Sequence, residues 1–376
     1  MNIEWGKNCV LPNTRPNLFL DKFGICNACN IKLEKKNEKY FKPLGKKKFE
    51  KTVRNILKNN PKNNYDCLIP VSGGKDSTWQ VIKCLEVGLT PLTVTWKCPS
   101  RTKFGQYNLD NLVSLGVDHF DVTINPKIKK KLIYKTFNEK GAAGIPMHLA
   151  IFNLSNRIAR NFRIPLIIWG ENSAKEYGYK KKNHLFKKSL DKEWVKNYGV
   201  TNSTLAEDWI DKEINLKNII LYSDKQNLNY KSYSIFLADY FKWDPVISYK
   251  AAKKRGFKNL KSAKTGLYDF ADIDDNFISI HHYLKWYKFG FSRLFDNLSI
   301  EIRSKRITRE KAIKIIKKKG LNVPKQDIKI FCKYLGISQK KFEQICEKFR
   351  NKKIWKFDAK KKKWFVPNFL ISDFNW

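Results

Sequence analysis

Acidic residues are scarce in this chain: 35 Asp and Glu stand against 75 Lys and Arg, a formal net charge of +40 over 376 residues. Histidine occurs five times and methionine twice. No apolar run reaches the ~20 residues that cross a bilayer as a helix, and the first residues are too polar for a secretory signal. The expectation is a soluble cytoplasmic protein with no transmembrane segment. Eight cysteines are too few in a chain this long for a disulfide scaffold; reduced thiols or a metal site fit better. No internal repeat is present. The positive excess could serve nucleic acid, but it is dispersed over Lys46–Lys48, Lys129–Lys131, Lys180–Lys182, Lys317–Lys319 and Lys360–Lys363. Dispersion favours solvated faces, so nucleic acid is not the expected partner. A milder alternative is positive potential around a site for a nucleotide-activated, acidic substrate.

The Walker pattern is absent too, since Ile69 lies where its first glycine would be and Asp76 follows Lys75. In its place stands Ser72-Gly73-Gly74-Lys75-Asp76-Ser77. Leu68 to Val71 form the short apolar run of a parallel strand covered on both faces. Trp79, Val81, Ile82 and Leu85 then mark a helix. A glycine turn between a strand and a helix leaves backbone N–H groups pointing outward, and the helix dipole favours an anion there.

Apolar runs and helical periods alternate onward. Strands are expected at 89–96, 119–124 and 164–169, and helices at 108–115 and 147–162. That alternation predicts a doubly wound, mostly parallel α/β sheet, whose ligands bind at the carboxyl ends of the strands. The loop, the Trp96-Lys97-Cys98 end, the segment before Met147 and Gly170-Glu171-Asn172 should converge there. Glu171 and Glu176 could hold Mg²⁺ or a substrate amine. A lead-in helix is expected within 34–60, from the spacing of Phe49, Val53, Ile56 and Leu57.

At the start, Cys9 and the pair Cys26 and Cys29 are one ligand short of a tetrahedral zinc site. Free thiols in a small loop module are the first reading and zinc the alternative. His281 and His282 are adjacent on one helix, so they face apart and do not chelate one metal. One is expected to face the site and the other the core. Thr308 reads as the N-cap of a basic amphipathic helix, 331–349 as a helical pair, and the aromatics of 352–376 as packing on the domain.

The loop resembles the pyrophosphate loop of the ATP pyrophosphatase (PP-loop) superfamily. A closer resemblance, from Cys9 to about Gly320, is to the bacterial N-acetyl sugar amidotransferases of surface-polysaccharide biosynthesis. It rests on Cys9 to Pro16, Gly24 to Cys29, the loop, Gly170-Glu171-Asn172, Tyr240 to Asp244, Ile280-His281-His282-Tyr283-Leu284, Lys288 to Phe291, Glu301-Ile302-Arg303 and Ile307 to Glu310. The family commonly opens with a C-x-x-C whose first position is Gly6 here.

The resemblance implies three regions: a cysteine module and lead-in helix (1–60), a PP-loop ATP pyrophosphatase domain (61–250) and a helical C-terminal substrate or partner region (251–376). It implies ATP and Mg²⁺. Ser72, Gly73, Gly74 and Ser77 would hold pyrophosphate, with Thr95 and Gly170 also at the nucleotide and Asp76 on the metal. Lys75, Asp76, Glu171, His281 and His282 would be catalytic; Cys9, Cys26 and Cys29 are the zinc candidates. The implied reaction turns an acetamido group on a nucleotide-linked sugar into an acetamidino group, in lipopolysaccharide or O-antigen synthesis. Ammonia would come from glutaminase and cyclase-like partners, since no cysteine here lies in a nucleophile-elbow context. The alternative is a tRNA-modifying PP-loop enzyme, a thiolase or lysidine-type ligase.

Overall fold

The computed structural model describes residues 2–33, 42–60, 63–181, 190, 192–223, 230 and 232–375. In chain order the helices and strands are α1 (Asn27–Leu33), α2 (Lys46–Lys58), β1 (Cys67–Pro70), α3 (Lys75–Leu85), β2 (Pro91–Trp96), α4 (Lys103–Val113), β3 (Asp118–Val122), α5 (Pro126–Lys140), α6 (Ile145–Asn161), β4 (Leu166–Trp169), α7 (Ser173–Tyr177) and α8 (Lys192–Tyr198). There follow β5 (Tyr233–Phe236), α9 (Pro245–Lys253), α10 (Ile278–Phe289), α11 (Arg293–Arg303), α12 (Arg309–Lys319), α13 (Lys325–Leu335), α14 (Gln339–Lys348), β6 (Lys356–Asp358) and β7 (Lys363–Phe365).

Five parallel strands form one sheet in the order β3-β2-β1-β4-β5. Successive side chains alternate between its faces. Cys67, Ile69, Leu166 and Ile168 pack with α2 and α3 on one side, while Leu68, Leu92, Val94 and Ile167 pack with Leu154 and Ile158 of α6 on the other. The order reverses between β1 and β4, so the loops after these strands flank the switch-point crevice where ligands bind in such sheets. This is the expected doubly wound α/β fold with a helical C-terminal region.

Boundaries differ from expectation for local reasons. β2 starts at Pro91 rather than Leu89, because the Leu89 amide donates to Cys84 O (3.1 Å) and the Thr90 amide to Asp66 (2.8 Å). α4 starts at Lys103 rather than Asn108, capped by Thr102, which accepts from the Gly105 amide (2.9 Å). Gly105 hid that start. It sits in the helix because a Cβ there would come within 2.6 Å of Asp274 O. The edge strand β3 is half-exposed and carries no clean apolar run, so its limits shifted. β5, Tyr233–Phe236, is a strand beyond those expected. The lead-in helix runs over Lys46–Lys58, burying Phe49 and Val53; residues 34–41 and Trp376 lie outside the described residues. Thr308 caps α12 as expected, accepting from the Lys311 amide (3.2 Å).

The N-terminal segment shares its core with the C-terminal region. Ile3, Cys9, Leu11 and Cys26 pack with Trp286, Phe291, Leu298, Trp355, Val366 and Phe374. Of the tail aromatics, Trp355 and Phe374 are therefore inside, as expected, and Trp364 and Phe369 pack half-buried against them, whereas Phe357 is exposed. The Glu301-Ile302-Arg303 end of α11 is tied to the turn before α9: Arg306 binds both Glu301 and Asp244 (2.7 Å), and Asp244 caps α9.

Candidate functional site

The loop after β1 is built for an anion. Gly73 has φ +82°, and a Cβ on it would lie 2.7 Å from the Leu109 amide nitrogen, so both conformation and crowding demand glycine. The turn closes on itself. The Gly74 amide donates to Ser72 Oγ (3.3 Å), and Ser77 Oγ donates to Gly74 O (2.9 Å). The first intrahelical bond runs from Thr78 N to Gly74 O. The amides of Lys75, Asp76 and Ser77 precede it and lack a helical partner, which leaves them for a phosphate.

Carboxylates rim this cradle. Asp76 pairs with Lys75 and accepts from Trp243 Nε1 (3.1 Å). Glu171, after β4, is pushed up by burial and by Asp76 across the switch point. Asp274 is pushed up by burial and by Asp272, against a hydrogen bond with Ser72 that favours its charge. Asp76 and Glu171 suit Mg²⁺, which takes one or two carboxylates plus phosphate oxygens. Gly170 O accepts from the Ala238 amide (3.1 Å), joining the β4 loop to the segment after β5. Thr95 is buried and its hydroxyl donates to Val71 O, bracing the base of the loop.

The two histidines of α10 diverge. His281 lies beside His148 of α6 in a small cavity at the end of β2. His282 Nε2 lies 3.4 Å from Asp272, which also meets Arg293 Nε at 3.3 Å. Burial works against the Asp272 charge, but Arg293 and His282 hold its pKa well below the usual value. The network continues through Asp296, only 1% exposed, which accepts from Arg15 (3.0 Å) and Lys285. Arg15 also donates to Tyr177 O (2.8 Å). Against the cost of burial, Lys285, Arg15 and Arg293 hold Asp296 below the ordinary carboxylate range.

Sequence reasoning missed Arg15, Tyr177, Arg293, Asp296 and His148 as site neighbours. They come from distant segments and carry no spacing signal. Trp243, within Tyr240 to Asp244, and Arg15, within Cys9 to Pro16, lay in stretches that carry the resemblance and could have been picked up there.

Cys9, Cys26 and Cys29 do converge. Their sulfurs lie within 4.8 Å of one another, with Cys9 and Cys26 at 3.6 Å. Thiolates around one tetrahedral zinc at ~2.3 Å would be ~3.8 Å apart, so the spacing fits. Hydrogen bonds from Cys26 and Cys29, with Arg303 nearby, hold the Cys9 thiol well below its usual pKa. Arg303 Nε and Nη1 are buried without hydrogen-bond partners. Gly6 adjoins the cluster, and a Cβ on it would come 2.8 Å from Cys9 Sγ.

The strand order, with the S-G-G-K-D-S loop at its switch point, is that of a doubly wound parallel α/β protein. Residues 265–366 match the family model described as the C-terminal domain of LPS biosynthesis protein WbpG-like. The match supports the resemblance to the sugar amidotransferases of surface-polysaccharide synthesis. No curated protein matches the chain significantly. Among solved structures, the NMN synthetase of Francisella tularensis aligns over 42% of this chain and 72% of its own, at 16% identity and a TM-score of 0.27, too slight a likeness to argue from. Among the described residues no helix is long and apolar enough to cross a membrane.

Proposed function

We propose that this chain is an ATP-dependent N-acetyl sugar amidotransferase of lipopolysaccharide or other surface-glycan synthesis, cleaving ATP to AMP and pyrophosphate. The observation that carries the reading is a pyrophosphate-type loop with Asp76 and Glu171 at its rim, joined in one chain to a WbpG-like domain. An amide oxygen is a poor leaving group. Adenylylating it makes an O-adenylyl imidate whose leaving group is AMP, and ammonia can then attack carbon.

The loop amides, Ser72 and Ser77 would hold the departing pyrophosphate, and Lys75 would offset its charge. Mg²⁺ on Asp76 and Glu171 would neutralise phosphate charge as it develops. Catalysis of this kind is positioning and electrostatics. Ammonia would come from glutaminase and cyclase-like partners in the cytoplasm. Zinc would sit on Cys9, Cys26 and Cys29 as a structural ion. Three thiolates and Zn²⁺ leave one negative charge, which the buried Arg303 would balance.

The test is labelled ATP with ammonium chloride and a panel of UDP-linked N-acetylhexosamines. AMP, pyrophosphate and a ¹⁵N-labelled amidine are expected. ADP as product, or AMP release triggered by tRNA and by no sugar nucleotide, would overturn the reading. For the cysteines, one zinc per purified chain is expected, lost in Cys26→Ser. Below about 0.2 zinc per chain, too little for an obligatory structural ion, the three sulfurs are free thiols.

A further inference from the structure

The cavity between His148 and His281 lies at the rim of the same crevice and is not needed to bind ATP. His148 comes from the first turns of α6 and His281 from α10, and Trp96 at the end of β2 and Phe277 help to wall it. Asp275 is also on its lining, next in sequence to the Asp274 that meets Ser72 of the loop. The chain thus runs from loop to cavity in one residue.

The two imidazoles converge. The position a Cβ would take on Gly144 is 3.9 Å from His148 Nε2 and 3.9 Å from His281 Nδ1. Among the described residues neither ring is hydrogen-bonded to another protein group, whereas the neighbouring His282 is turned towards Asp272. The space is about 20 Å³. A single water needs roughly 10–15 Å³ on that measure, so it admits one water-sized molecule and neither a sugar nor a nucleotide.

We infer that this cavity is the subsite that receives ammonia for attack on the activated amide carbon, with His148, His281 and Asp275 as its hydrogen-bond acceptors. The inference rests on the amidotransferase reading above. Ammonia has three N–H donors and one lone pair. Three acceptors around it occupy the donors and leave the lone pair for carbon. Water has only two donors and would satisfy such a site less well, and water attack would merely return the starting amide. Burial also keeps both imidazoles neutral, His148 down to about 4, so each ring retains one bare nitrogen that can accept beside its one N–H. In the step, a C–N bond forms, the C–O bond to AMP breaks, the amide oxygen leaves on AMP, and one proton passes from nitrogen to an acceptor of the cavity.

The test uses the full chain and Gly144→Ala. The residue is in the right-handed helical region, and the added methyl would make ordinary contacts at 3.8–3.9 Å, so the fold should hold. The first measurement is imidazole ¹⁵N NMR during titration with ammonium chloride, with potassium chloride as control; five histidines keep the spectrum assignable. Saturable shifts of His148 and His281 with ammonium alone, lost in Gly144→Ala, are expected. Their absence in the parent chain overturns the inference whether or not any sugar is turned over.

The second measurement is turnover with the UDP-linked sugar that releases most pyrophosphate. Gly144→Ala and His148→Ala should raise KM for ammonium at least tenfold, with pyrophosphate exchange into ATP unchanged. An ammonium KM within twofold of the parent in both variants, or a parallel loss of pyrophosphate exchange, rejects the subsite. Ammonium-specific shifts with no sugar releasing pyrophosphate would instead reject the amidotransferase reading and leave a small-amine site standing.

Discussion

The loop after β1 and the cysteine cluster are both compact candidate sites, but they are assembled in opposite ways. Six consecutive residues make the loop, and their hydrogen bonds to one another close it. The cluster needs Cys9, Cys26 and Cys29 brought together and Arg303 delivered from α11. The contrast teaches where each site is vulnerable. A local turn keeps its shape while its strand and helix stand. A composite site reports on whether the N-terminal segment is docked against the C-terminal helices.

Asp76→Ala should separate the two most sharply. Losing one preorganised group at developing charge costs about 3–4 kcal/mol in the barrier, so sugar-dependent AMP release should fall by two to three orders of magnitude. Asp76 is partly exposed, and the melting temperature and metal content should stay near the parent's. Coupled loss of activity and metal would break the distinction.

Asp296→Ala attacks the composite side. It strands Arg15 and Lys285 in a buried network, and removing one partner of such a pair costs about 3–5 kcal/mol. Denaturant midpoints should drop accordingly, and any bound zinc should be lost with the undocked N-terminal segment. Unchanged midpoints would show that this network does not hold the two regions together. Gly6→Cys gives a gentler comparison: a fourth sulfur beside Cys9 should slow zinc loss to a chelator and leave ATP cleavage untouched.

The smallest expected effect is on pH dependence. His148 titrates at about 4 in the fold and at ~6.5 when unfolded. Between those values the unfolded chain binds the extra proton, so stability falls as pH drops from ~6.5 towards ~4. Asp296 has a depressed folded pKa, so its contribution is present above ~3.9 and is lost as pH falls through its folded value. His281 is held low by burial in the same window and Asp275, raised to about 7, opposes it, so melting temperature against pH should become shallower there in His148→Gln without going flat, and stay steep below it; an unchanged upper window would break the assignment to His148.

The strand-loop-helix unit at 67–85 was legible because its signals are local: an apolar run, glycines and a helical period all within one stretch. The sheet class followed from repetition of that pattern. The order of the strands did not, since it depends on long-range pairing, and neither did β3, whose half-exposed residues show no clean period. α4 was cut short because Gly105 serves a contact with Asp274, which sequence spacing does not encode.

The same division runs through the sites. The sequence by itself determined the anion turn and named the cysteines and histidines as candidates, because residue type and nearest-neighbour geometry suffice for those. Only the tertiary structure decided that the three sulfurs meet, that Arg303 stands near them with Nε and Nη1 lacking hydrogen-bond partners, and that His281 turns to His148 while His282 turns to Asp272. Side chains one residue apart on a helix must diverge. What each then meets is set by helices packed from elsewhere in the chain.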